Sequence, residues 1–152
     1  MVNAIKKKEI IPFLNEKITS IRKKNLKPEK YIEKLVIAWC HKRSWFINVI
    51  ESKAVYNIRA KRYLYGMAKK GHVDLVGSTD KGQYVAIELK AKGKLSTLRI
   101  EQWKFLYTTI SKGGFGVVVD SDQMLDELWQ SYQQASDKKK FLFETLGPIS
   151  ID

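Results

Sequence analysis

The sequence predicts an α/β domain, a mixed β-sheet flanked by helices, and three observations carry that expectation. Residues 73–77 and 83–90 are two apolar runs separated by strong turn chemistry at 78–82, the pattern of a hairpin. Residues 96–112 then keep a helical spacing and lead into the short apolar run 115–119, giving a strand–helix–strand unit. Upstream, Ile32, Leu35, Val36, Trp39 and Cys40 fall at i, i+3, i+4, i+7 and i+8, one stripe of a helix over 29–43. A length of 152 residues and an apolar content of 44% suffice for one domain, 1–152, with its own core at about 29–130.

The elements follow in order. Pro12 and Pro28 suit the first turn of a helix, where a missing N–H costs nothing. Between them Phe13, Leu14, Ile18 and Ile21 give a basic helix over 12–25. Residues 45–50 read as a strand and 53–57 as a second extended piece. The stretch 59–71 is basic and aromatic together, and two readings stay open. Arg59, Lys61, Arg62, Lys69 and Lys70 can meet phosphates while Tyr63 or Tyr65 stacks on bases. Alternatively, Tyr63, Leu64 and Met67 are the buried side of a short helix. After 83–90, Lys92, Gly93 and Lys94 form a basic turn. Ser96 or Thr97 then caps a helix whose stripe is Ile100, Trp103, Leu106 and Ile110, with Gln102 beside the stripe and Gly113-Gly114 as its stop. Asp120, Ser121 and Asp122 open a last helix with Leu125, Leu128, Trp129 and Tyr132 inward, and 137–152 reads as a tail.

Charge is lopsided. The net charge is +12, and residues 1–74 hold 18 Lys/Arg against 6 Asp/Glu, whereas residues 75–152 hold ten of each. A basic surface of this kind attracts polyanions and gives salt-sensitive nucleic-acid binding. An anionic membrane is the alternative, but no stretch nears the roughly 18 apolar residues of a span, and no basic amphipathic helix carries an anchor face. The lone cysteine, Cys40, excludes an internal disulfide and suits a reducing compartment; no Cys/His cluster points to zinc. With no apolar leader at the start, the expected location is the cytoplasm, or a host cytoplasm for a virus-encoded chain.

The chemistry-bearing residues gather on the hairpin. Period two places Tyr84, Ala86, Glu88 and Lys90 on one face and Val85, Ile87 and Leu89 on the other. A turn of about five residues returns Glu88 to the level of Asp74. Most Glu-x-Lys pairs on strands are solvated. Here the strand is otherwise apolar, and a buried charge needs a partner or a metal. Two carboxylates beside an ammonium make an oxygen-rich site for a hard divalent cation. Glu33 lies at the margin of its helical stripe. It either pairs with Lys30 or Lys34 in solvent or looks toward the acids; Glu29 and Glu51 are rival third acids. His72 contacts phosphate or packs, or else serves as a ligand or proton relay.

Glu33, the run Gly71, His72, Val73, Asp74, then Ile87, Glu88, Leu89, Lys90, then Gln102 and the run from Gly116 to Asp120 together resemble the PD-(D/E)XK nuclease superfamily. More narrowly, they are similar to its VRR-NUC group. The resemblance covers roughly residues 29–130 and departs at Val73, where the family often has proline. It implies a restriction-endonuclease-like core and a deoxyribonuclease dependent on Mg²⁺ or Mn²⁺. Asp74, Glu88, the carbonyl of Leu89 and Glu33 would be metal ligands. Lys90 would act on the attacking water, and Gln102 would orient the site. Arg59, Lys61, Arg62, Lys69, Lys70, His72, Lys92 and Lys94 would meet DNA. Small stand-alone members resemble homodimeric junction-resolving enzymes, so branched DNA and a homodimer are expected. A nucleic-acid-binding protein without catalysis, or a small sequence-specific restriction-type endonuclease, would use the same scaffold.

Overall fold

The computed structural model describes residues 28–50, 55–64 and 71–149. The expected helix at 12–25, Glu51, Tyr65, Met67, Lys69 and Lys70 lie outside the described residues. The elements are α1 (Pro28–Lys42), β1 (Phe46–Val49), β2 (Val55–Asn57), β3 (Arg62–Leu64), β4 (Leu75–Ser78), β5 (Tyr84–Leu89), α2 (Ile100–Ser111), β6 (Phe115–Val119), α3 (Asp122–Gln134) and α4 (Lys138–Leu146). The fold is α/β. Its four-stranded sheet runs β1-β4-β5-β6, antiparallel except for the parallel β5–β6 pair, which α2 connects. β2 and β3 form a separate antiparallel ribbon.

Alternation along β5 builds the two faces. Val85, Ile87 and Leu89 join Val117 and Val119 of β6 in one core with Val36 and Cys40 of α1 and Leu125 of α3. Ala86 points the other way, with Val118, toward Leu106 of α2 and Val73. Helices therefore cover both faces, and β5 is buried from Val85 onward. Gly71 takes a left-handed φ of +89°, and a Cβ there would collide with the Cβ of Glu101, so the chain entering β4 passes hard against α2. Asp126 ties α3 to α1: Arg43 Nη2 donates to it at 2.6 Å and Trp39 Nε1 at 3.0 Å.

Several boundaries differ from the sequence reading. The first hairpin strand is Leu75–Ser78 rather than 73–77, so Asp74 stands just ahead of it. Leu95–Thr97 is a 3₁₀ turn, and α2 begins at Ile100, so neither Ser96 nor Thr97 is the cap. Within α2 the buried positions are Gln102, Leu106, Thr109 and Ile110, while Ile100 is exposed and Trp103 is only half-buried. Arg62–Leu64 is a strand, not part of a short helix. The expected tail contains α4, started by Asp137, whose side chain accepts from the Lys140 N–H at 3.0 Å, and closed by Gly147 at φ +73°. Among the described residues, no helix is long and apolar enough to cross a membrane.

Candidate active site

Asp74 and Glu88 meet where β4 begins and β5 ends. Leu75 pairs with Ile87, so the residues one step beyond each, Asp74 and Glu88, fall opposite one another. The Asp74 N–H donates to Glu88 Oε2 at 3.1 Å, and the Leu89 N–H donates to Asp74 Oδ2 at 2.9 Å. Each acid is thus held by the backbone of the other's strand. The Asp74 carbonyl also accepts from Ile50 at 2.8 Å, fixing the same corner from the β1 side.

Lys90 and Gln102 complete the cluster. Lys90 follows β5 directly and stays on the sheet through its N–H, which donates to the Val119 carbonyl at 3.0 Å. Its Nζ lies 3.5 Å from Glu88 Oε1 and donates to Gln102 Oε1 at 3.1 Å. Gln102 Nε2 donates to Glu88 Oε1 at 2.6 Å. Gln102 Oε1 accepts from the Arg99 N–H as well, at 3.1 Å, which satisfies an unpaired donor of the first turn of α2. One amide side chain therefore starts a helix and locks an acid to a lysine.

This corner is nearly dry. Glu88 is 2% exposed and Lys90 8%. Burial, then the adjacent Asp74 charge, push the Glu88 carboxyl up to about 8, with the Lys90 ammonium and the Asp74 N–H pulling it back down. A buried carboxyl held against a second, half-buried carboxylate forms the donor set that a hard cation relieves. Asp74, Glu88 and the Leu89 carbonyl are the groups that would hold one.

Other expected residues stand elsewhere. Glu33 is half-buried and pairs with Lys30 at 3.2 Å, one of the two lysine partners expected for it. Among the described residues no group of three or more His, Cys, Asp or Glu gathers as a metal site, so Glu33 does not join Asp74 and Glu88. The reason is placement: the buried stripe of α1 packs on the Val85, Ile87 and Leu89 face, whereas Glu88 projects from the opposite one. The His72 ring packs on Phe105 at 4.5 Å, with Nδ1 3.0 Å from the Val73 carbonyl. Lys92 and Lys94 are exposed on the turn leaving the site, which Asp120 fastens through the Gly93 N–H at 3.1 Å. Arg59 and Lys61 are exposed where β2 turns into β3, and Arg62 opens β3.

No family model matches the chain, and no curated protein matches it.

Proposed function

We propose that this chain is a divalent-metal-dependent nuclease of the PD-(D/E)XK type, hydrolysing phosphodiester bonds in DNA. The observation that carries the proposal is the half-buried Asp74 held against the buried Glu88, with Lys90 locked beside them by Gln102. Mg²⁺ or Mn²⁺ held by Asp74, Glu88 and the Leu89 carbonyl would make water more acidic and offset charge on the phosphate. The chain's own groups supply the rest. Asp74, fixed by the Leu89 N–H, and Glu88, fixed by Asp74 and Gln102, are oriented before any ligand arrives. Lys90, with Nζ 3.5 Å from Glu88 in a low-dielectric corner, would stabilise negative charge developing on a phosphate oxygen and favour an ionised water. The excess of basic residues upstream of Asp74 raises the local concentration of a polyanion. The VRR-NUC resemblance adds branched DNA and a pair of copies to this reading.

One observation favours a second reading. Among the described residues only two acids meet at the site, and a basic chain can bind nucleic acid without cutting it. Against this, carboxylates facing a phosphate backbone repel it unless a cation intervenes.

The test is cleavage of a labelled four-way junction, a flap and a linear duplex at low salt with Mg²⁺ or Mn²⁺. Wild type is expected to cut, and folded Glu88→Ala to lose at least about a hundredfold in rate. Tight binding of every substrate with no cutting moves the assignment to the binding protein; cutting by Glu88→Ala at the wild-type rate removes Glu88 from the site.

A further inference from the structure

Among the described residues, the sheet face that ends at the acids is left open on its β1 side, and aromatic rings stand on it. Tyr84, Ala86 and Glu88 share this face of β5; register adds Ser78 and Val76 of β4, and Phe46 and Asn48 of β1. α2 covers Ala86 and Glu88, but Phe46 is 67% exposed and Tyr84 46%. Phe46, Ser78 and Tyr84 lie in one row across three strands. At ordinary strand spacing the two aromatic positions are about 10 Å apart, with only a serine between them. A flat ring fits that gap. The row lies four residues along β5 from Glu88, about 13 Å, or a few nucleotides of a single strand.

The surroundings are basic as well as aromatic. Tyr84 borders a groove of about 490 Å³ along α2, lined by Lys104, Phe105, Thr108, Lys112 and the single acid Glu101. Both lysines are exposed. Lysine is depleted at the core of protein interfaces, so a second copy of the chain suits this face poorly. An intact duplex suits it poorly too: its bases are stacked on one another, and it presents phosphates and base edges rather than ring faces. Exposed rings beside lysines are what a single strand uses.

We propose that the open face of β1, β4 and β5 is a base-stacking platform, and that the site acts on nucleic acid with unpaired nucleotides next to the cleaved bond. The direction of the strand, from platform to acids, rests on the nuclease reading. Stacking does not, and it is measurable without cleavage.

The experiment is binding of a labelled twenty-nucleotide dT strand and of a twenty-base-pair duplex, in EDTA, to wild type, Phe46→Ala, Tyr84→Ala and Tyr84→Phe. Each alanine variant is expected to bind the single strand about tenfold more weakly, with duplex affinity and unfolding midpoint unchanged, and Tyr84→Phe to behave as wild type. A 2-aminopurine placed in the strand should lose its stacking quench in the alanine variants. Equal losses on single strand and duplex overturn the proposal, as does wild-type affinity in both alanine variants. Loss of self-association by Phe46→Ala with binding intact assigns the face to a second copy and overturns it too. Because EDTA removes cutting, a wild type that binds this way yet never cleaves with Mg²⁺ defeats the nuclease reading and leaves the platform standing.

Discussion

The two ends of β5 belong to one strand and are built on opposite principles. At its start, Val85 pairs with Phe115, and Trp45, Trp129 and Tyr132 close around that phenylalanine edge-to-face at 5.1–6.0 Å. The rings there contribute through buried area and geometry. At its finish, Glu88 and Lys90 are as deeply buried as that core, yet each holds its place only through hydrogen bonds and a neighbouring charge. Burial stabilises the first end and burdens the second. A strand that carries such a corner at its end is stable because the other end compensates.

That contrast is sharpest where it can be broken. Phe115→Ala should lower stability by about 3–5 kcal/mol in urea unfolding while leaving cleavage per folded molecule unchanged. A loss of cleavage out of proportion to unfolding would mean that the two ends are not separable. Gln102→Ala leaves Lys90 and Glu88 short of a partner in a dry corner and should cost about 1–3 kcal/mol. As a positioning residue it should lower kcat with KM nearly kept, a split that simple destabilisation does not produce.

Glu88 supplies the opposite sign. Its carboxyl is raised from 4.5 to about 8, so the folded protein holds a proton that the unfolded chain has released between those values. That contribution is fully present below the unfolded value and is lost as pH rises through about 8. In EDTA, wild type should therefore lose stability relative to Glu88→Gln between pH 5 and pH 8.5, read as the difference between their melting curves. Parallel pH dependences of the two proteins would show that Glu88 is not held in this way. The smallest effect is expected at the tie between α1 and α3: Asp126→Ala, which loses the Arg43 and Trp39 contacts, should cost about 1 kcal/mol and leave cleavage untouched.

Local pattern made much of this legible before any coordinates. Period two along 83–90 separates Val85, Ile87 and Leu89 from Ala86 and Glu88, and the structure has those two faces. The turn length placed Asp74 against Glu88, which the Asp74 N–H to Glu88 contact bears out. What failed depends on tertiary context. A helical stripe drawn from apolar residues alone chose Ile100 and Trp103 and passed over Gln102 and Thr109, because a buried amide with three polar partners leaves no apolar signal. α4 was hidden by Lys138, Lys139 and Lys140, whose charges resemble a tail although Leu142 behind them is core. Glu33 fits either a solvated flank or a cleft by spacing; only the packing of α1 decides, and it gives Lys30.

The central claim, that Asp74 and Glu88 are a cation site, is tested most directly by melting wild type and Asp74→Asn with and without Mn²⁺ at pH 7.5 and low salt. A cation bound by the acid pair in the folded state alone should raise the wild-type midpoint by about 3–6 °C at ten times its dissociation constant, and leave Asp74→Asn where it was. Equal shifts in both proteins, or no shift in either, would contradict the account.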